Sequence, residues 1–284
     1  MLFIKTVSVS APTSGAVAGI VPITLIGEKM ENQKTVAWST MLQDAVTQHG
    51  IISKCYSTFH SYSMGNQLLA WSQLQARDMS LAPIATYKRW SELGRQVKKG
   101  EKAIALVMPV TINKKDGAGE KTGECFQWFT LKNNWFTLDQ TEGADFVSES
   151  TSPAWDKAKA LEALSITEVR FDSANGNSQG YAQGKNIAIN PVAALPHKTR
   201  FHELAHVVLG HTLEHAMHDN ELTPRDIREV EAESVAYILC SVLDLPGLIE
   251  SRGYIQGWLS GGEITDKSAQ RIFGAADKIL KAGK

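Results

Sequence analysis

The chain has 284 residues, 43% of them apolar, enough to fill one large core or two ordinary ones. With 29 Lys and Arg against 30 Asp and Glu, the formal net charge is −1, which excludes a generally basic nucleic-acid coat and a long acidic tail. Three cysteines, Cys55, Cys125 and Cys240, lie far apart without CxxC spacing, so a disulfide framework and a cysteine-held metal are disfavoured and a reducing cytoplasm fits best.

Residues 1–30 read as a disordered or edge-strand leader. A signal peptide needs a basic start and an unbroken apolar run, whereas Lys5 follows Leu2, Phe3 and Ile4, and Pro12, Thr13, Ser14 and Pro22 interrupt what comes after. No segment approaches the ~18 consecutive apolar residues of a membrane span. Residues 35–77 have helical, aromatic texture. The runs AIALVMPV (103–110) and FQWFTLKNNWFTL (126–138) read as strands joined across a Lys/Asp/Gly-rich loop at 113–123. A polar, acidic stretch at 139–153 ending in Pro153 marks a boundary. The expected layout is a leader at 1–30, a mixed α/β domain at 31–145, a linker at 146–152 and a second domain at 153–284, an α+β protein of two domains. In the second domain 154–164 reads as a helix, 180–190 (GYAQGKNIAIN) as a hairpin turning at 184–186, and three helices follow.

The first of those helices carries the strongest chemical signal. Pro196 can begin it and Gly210 can end it, and Phe201, Leu204, Ala205 and Val208 form an apolar face by their i, i+3, i+4, i+7 spacing. His202 and His206 are one turn apart on an adjacent face, so two imidazoles can grip one ion, and Glu203 is placed to take a proton from water on the open side. A third ligand is needed. The helix at 226–243 (DIREVEAESVAYILCSVL) offers Glu229 and Glu233 at i and i+4, sharing a face with the small residues Ala232 and Ala236, while Glu231 points the other way. Glu229 is assigned as third ligand and Glu233 as the carboxylate orienting a ligand histidine, the reverse assignment staying open. HExxHxxGxxH would need Gly at 209 and His at 212, where Leu209 and Thr212 stand, which excludes the metzincin spacing. His211 is an alternative ligand, and His215 and His218 read as solvated. Zinc is the expected ion, with manganese as the alternative.

A second signal is electrostatic. Between 86 and 102, Lys88, Arg89, Arg95, Lys98, Lys99 and Lys102 face only Glu92 and Glu101, in a chain otherwise balanced in charge. Tyr87 and Trp90 lie inside this patch, and Tyr62 and Trp71 in the neighbouring motif, so the combination fits a single-strand groove in which cations follow phosphates and aromatics stack on bases. Asn66 and Gln67 add hydrogen-bonding groups. The structural alternative is that a tryptophan fills the core and Lys98 and Lys99 sit on a solvated turn.

TRFHELAHVVLGH (199–211) with REVEAES (228–234) resembles the C-terminal metallopeptidase-like domain of ArdC-type antirestriction proteins, relatives of the ImmA/IrrE and Spartan zincins. YSMGNQLL (62–69), WSELGRQVKKGEK (90–102) and DQTEG (139–143) are similar to the single-stranded-DNA-binding domain which that family shares with TraC-type plasmid primases. The resemblance covers most of 35–245. It implies an antirestriction protein of mobile, conjugative plasmid DNA that binds a single strand and protects it, with a gluzincin-like HExxH peptidase domain. Expected partners are single-stranded DNA and a host protein such as a restriction or DNA-bound protein, without a membrane. Two other readings stay open: a non-catalytic DNA-binding protein with a structural metal, and a peptidase acting on DNA-bound proteins. Tyr181, Tyr237 and His211 are the candidate transition-state donors.

Overall fold

A computed structural model describes residues 36–115, 121–147, 154–173, 178–213, 217–218, 221–262 and 264–284. The expected leader, most of the expected linker and His215 lie outside these residues, as do the side chains of Cys125 and His218. Contacts divide the chain into two units, one of residues 1–35 and 109–130, the other of Val36–Met108 with Leu131–Lys284. The described part of the smaller unit is strand, at 109–115 and 121–130.

The larger unit begins with three helices, α1 (Trp38–Thr47), α2 (Ile51–Phe59) and α3 (Met64–Gln75). Ser63 caps α3 by accepting from the Asn66 N–H, and Leu68, Ala70, Trp71 and Leu74 bury its inner faces. Gly65 is required by a close approach: a Cβ there would stand 2.8 Å from the Trp38 ring of α1. Then come β1 (Ile84–Thr86), α4 (Tyr87–Glu92), β2 (Arg95–Val97), β3 (Ile104–Lys115), β4 (Lys121–Thr137) and, after one 3₁₀ turn, β5 (Thr141–Gly143). The strand order β1-β4-β3 makes one sheet, with Ile84 opposite Thr137, and β2 pairs antiparallel with β5.

After residue 153 follow α5 (Lys157–Leu164), β6 (Thr167–Glu168), β7 (Gly180–Gln183), β8 (Asn186–Ile189), α6 (Pro196–Val208), β9 (Met217–His218), β10 (Glu221–Leu222), α7 (Arg225–Val242), α8 (Leu248–Gly261) and α9 (Asp266–Ala282). The hairpin β7–β8 turns at Gly184 and Lys185, Gly184 having φ +58, and the sheet order β6-β8-β7 leaves β7 at an edge. Helix α7 is buried along most of its length, with Ala232 and Ala236 fully covered, which lets α6 come close.

The expected boundary at 146–152 is not where the contacts divide. Ile272, Phe273, Ala276, Ile279 and Leu280 of α9 share one core cluster with Leu42, Leu68 and Trp71. Two carboxylates of α9 reinforce this: Asp266 accepts from the Ser39 N–H and hydroxyl (both 2.8 Å), and Asp277 accepts from the Met64 N–H (2.9 and 3.1 Å). The segments 36–108 and 131–284 thus fold around shared apolar surface, which hydropathy periodicity within one helix does not reveal. No helix among the described residues is long and apolar enough to cross a membrane.

Candidate metal centre

Helix α6 starts with Pro196 in its first turn and gives way at Leu209, with Gly210 left-handed at φ +79. Phe201, Leu204 and Ala205 are buried and anchor it, which leaves His202 and His206 half-buried on the face turned to α7. Pro224 precedes the first turn of α7 and Glu229 follows one turn later.

His202 Nε2 and His206 Nε2 are 3.0 Å apart, and Glu229 Oε2 stands 3.3 Å from the first and 3.6 Å from the second. Four ligands arranged tetrahedrally at about 2.0–2.1 Å from zinc are separated by about 3.4 Å, so this triangle has the dimensions of one face of such a site. Among the described residues these three form the cluster of His, Cys, Asp and Glu groups able to share an ion. Glu233 lies on the far side of His202: its Oε2 is 3.1 Å from His202 Nδ1 and its Oε1 2.7 Å from Lys198 Nζ.

Burial favours the neutral form of His202, but Glu229, Glu233 and Glu203 outweigh it and raise its pKa to about 9. Burial also acts against the Glu233 carboxylate, yet His202 and Lys198 hold it down at about 2. Hydrogen bonds from His202 and then His206 keep Glu229 well below the usual carboxylate range. Glu203 goes the other way. It is 7% exposed, and burial lifts its pKa against the pull of His202 and His206, as suits a proton acceptor.

Behind His206 is a second relay. His206 Nδ1 lies 3.0 Å from His211 Nδ1, and His211 Nε2 lies 2.9 Å from Glu231 Oε2. Glu231 is fully buried, accepts from the Ser268 hydroxyl and has Arg271 at 3.5 Å. Glu231 does point away from the triad, as its place on the helix requires, but into this relay rather than to solvent. The alternative reading of His211 as a ligand finds no support in this arrangement: His211 stands behind His206, outside the triangle, with both of its ring nitrogens engaged. The sequence signal was a third histidine just beyond the glycine that ends α6 and a carboxylate two residues after Glu229. Burial shifts His211 towards its neutral form against the pull of Glu231.

A cavity of about 610 Å³ opens on the triad, walled by α6, the N-terminal end of α7 and the edge strand β7. Tyr181 and His211 line it, whereas Tyr237 does not and is 3% exposed. The Tyr237 hydroxyl therefore drops out as a donor to a reacting group.

The expected nucleic-acid residues separate into two sets. Trp71 (4% exposed) and Trp90 (1%) fill the core, and Trp90 Nε1–H donates to the Phe136 carbonyl (2.8 Å), so neither presents a face to a base. Both tryptophans, not one, are structural. Asn66 is spent on β3, giving to the Val107 carbonyl (2.9 Å) and accepting from its N–H (2.8 Å). Gln67 is buried and donates to the Tyr62 carbonyl, and the Tyr62 hydroxyl donates to the Ile84 carbonyl. Arg95 ties β2 to β5 through the Thr141 hydroxyl (2.8 Å) and carbonyl (3.1 Å). On the surface remain Tyr87, 51% exposed, with Lys88 and Arg89, which approach Glu92 at 3.9 and 3.1 Å. Lys98, Lys99 and Lys102 are also exposed, Lys98 donating to the Asp139 carbonyl. The DQTEG motif acts as an internal brace: Gln140 Nε2 donates to Glu101 Oε2 and to the Lys102 carbonyl, both at 2.9 Å.

Residues 23–141 match the family described as the N-terminal domain of anti-restriction factor ArdC, a match that begins inside the expected leader. The chain is thus similar to the N-terminal domain of ArdC over that stretch, less than half of its length. Its fold is that of the antirestriction ArdC protein from the R388 plasmid: the Mn(II)-bound crystal structure of that protein has a TM-score of 0.50 at 20% identity, covering 88% of this chain and 96% of that one. The metal-free crystal structure of the same protein has a TM-score of 0.49 at 22% identity, with the same coverage. No curated protein is significantly similar to this chain.

Proposed function

We propose that this chain is an antirestriction protein of mobile DNA that binds single-stranded DNA and holds a divalent ion, zinc or manganese, at His202, His206 and Glu229. The observation that carries the reading is the triangle of 3.0, 3.3 and 3.6 Å between the three donor atoms. The R388 ArdC protein of similar fold was crystallised with Mn(II), which supports a divalent ion here.

His202, His206 and Glu229 would hold the ion, which when bound would supply a Lewis acid to polarise a carbonyl and lower the pKa of water. Glu203, buried and proton-loving, takes the water's proton as oxygen joins the carbonyl carbon, then returns it to the departing amide nitrogen. Along the β7–β8 hairpin hydrogen-bonded pairs alternate, and the Asn190 N–H donates to the Gln179 carbonyl (2.9 Å), which turns the backbone groups of Gly180 and Ala182 outward from the hairpin. An extended peptide can add there as a further strand beside Glu203. A host protein met on the incoming strand is the substrate this arrangement serves. The single strand itself runs over Tyr87, Lys88, Arg89, Lys98, Lys99 and Lys102, the exposed members of the basic segment.

The competing reading is protection by occupancy alone, with an ion that only joins two helices. Glu203→Gln decides, because Glu203 is not a ligand. Lost protection with the ion retained supports hydrolysis, and full protection removes it.

A further inference from the structure

The wall of the cavity beside the triad is basic in a way that the ion does not explain. Arg225, Arg228 and Glu229 stand at i, i+3 and i+4 on α7, so the two arginines share the stripe that carries the third ligand, and all three line the cavity. Lys198, the other cation of the lining, is committed to Glu233 at 2.7 Å. Among the described residues neither arginine is in an ion pair. Arg228 gives one N–H to the His211 carbonyl (3.3 Å), while its Nε is buried without a hydrogen-bond partner. Two guanidinium groups beside the triad, one anchored at the His211 carbonyl with a buried donor still unused and the other exposed, are matched by a carboxylate, which accepts two parallel N–H bonds.

We propose that Arg225 and Arg228 form an anion subsite that selects a peptide carrying an acidic side chain next to the bond cleaved at the His202–His206–Glu229 centre. This rests on the metal-site reading above. Four residues separate Arg225 from Glu229, about 6 Å along the axis, equal to about two residues of extended peptide at ~3.3 Å each. The acidic residue therefore sits within two positions of the cleaved bond. A peptide is favoured over a phosphodiester because the opposite wall is the edge strand β7, whose outward backbone groups recognise another backbone rather than a sugar-phosphate chain.

The test uses the full chain loaded with Zn(II) or Mn(II) and two sets of dipeptide hydroxamates, identical except that Asp in one is Asn in the other. The hydroxamate reports the ion and the side chain reports the subsite. Isothermal titration is expected to show the Asp ligands bound about tenfold more tightly than the Asn ligands, the scale of a charge-assisted hydrogen bond. In R225Q the preference shrinks, and in R225Q/R228Q it vanishes, with metal content and Asn-ligand affinity unchanged. Arg225 is exposed, so R225Q reads the subsite even if the Arg228 change unsettles the fold. Equal affinity for Asp and Asn ligands, or a preference that survives in both variants, overturns the subsite and leaves the metal site standing. Displacement of the Asp ligands by oligo(dT), dependent on the same arginines, overturns it in favour of nucleic-acid phosphate. A chain that takes up no ion overturns both readings together.

Discussion

His206 and His211 face each other through their Nδ1 atoms at 3.0 Å, and this contact fixes which nitrogen of His206 is available to an ion. With a neutral His211 donating its Nε2–H to the Glu231 carboxylate, its Nδ1 is the acceptor, and His206 then donates from Nδ1 and presents a bare Nε2 to Glu229 and His202. Supports of this kind usually tune metal affinity by 10–100-fold. His211→Phe keeps a ring and removes both nitrogens. Chelator competition on this variant should show metal affinity lowered by about 10- to 100-fold, with the melting temperature measured in parallel. Unchanged affinity would show that His206 needs no such help.

Glu229 and Glu233 are one turn apart but have different neighbours, Glu229 standing by both His202 and His206 and Glu233 between His202 and Lys198, and two substitutions test the roles proposed for them. Glu229→Ala should remove the ion from the purified chain. Glu233→Gln keeps an acceptor for the His202 Nδ1–H and loses only the charge opposite Lys198, so it should retain the ion with weakened affinity. Metal analysis of the two proteins checks this: equal retention would remove the distinction, and loss from the Glu233 variant alone would reverse the assignment.

Gly180 sets how closely β7 approaches α6. A Cβ there would lie 2.8 Å from Thr199 Cγ2, 2.9 Å from the Ala188 carbonyl oxygen and 3.1 Å from Glu203 Oε1. The carbonyl belongs to the paired strand and does not yield cheaply. Gly180→Ala should cost about 1–3 kcal/mol of stability, the range for overpacking, and should displace Glu203. Thermal melting and the hydrolysis or protection assay read the two effects, and a neutral substitution would mean that β7 is looser than its packing indicates.

Burial pushes the Asp277 carboxyl up to about 6 from 3.8, against the Met64 N–H and the charges of Lys281 and Lys284. An acid with a raised native pKa holds its proton longer when folded, so its contribution to stability falls as pH rises from about 4 through about 6. Asp277→Asn keeps an acceptor for Met64 and removes the titration. Its melting temperature relative to the parent should therefore rise between pH 4 and pH 7, by up to the equivalent of ~3 kcal/mol. A pH-independent difference would mean that Asp277 stays ionised in the fold.

Single-stranded DNA should bind more tightly than duplex, with affinity that falls steeply with salt. Tyr87→Ala should weaken it by about 1–3 kcal/mol if a base stacks there. Fluorescence anisotropy over a salt series measures both, and a duplex bound equally well would remove the proposed surface.

The metal helix was legible because its signals are local: Pro196 and Gly210 bound it, and the spacing of His202 and His206 is set by one helical turn. The same geometry put Glu229 and Glu233 on one face and left their order open, since residues one turn apart differ only in how far along the helix they stand. The hairpin at 180–190 was readable from Gly184 and the alternation around it. Trp71 and Trp90 were misread because stacking on a base and filling a core draw on the same large apolar ring, and only burial separates them. The pairing of Glu231 with His211 was hidden, since it depends on Gly210 folding the chain back towards α7. The shared core of the two halves was hidden as well, because the amphipathic pattern of α9 says that a face is covered but not by what.

Helix α9 works as a two-sided beam. Asp266 and Asp277 are eleven positions apart, three turns, and so lie on one side, where they hold α1 and α3. Ser268 and Arg271 occupy the other side, where they reach Glu231 and the Leu209 carbonyl behind His206. A load applied to the first helices is thus borne by the rod that steadies a ligand of the proposed ion. Cutting the chain ahead of Thr265 would sever both attachments in one stroke, so a single break would loosen the first helices and the backing of His206 together.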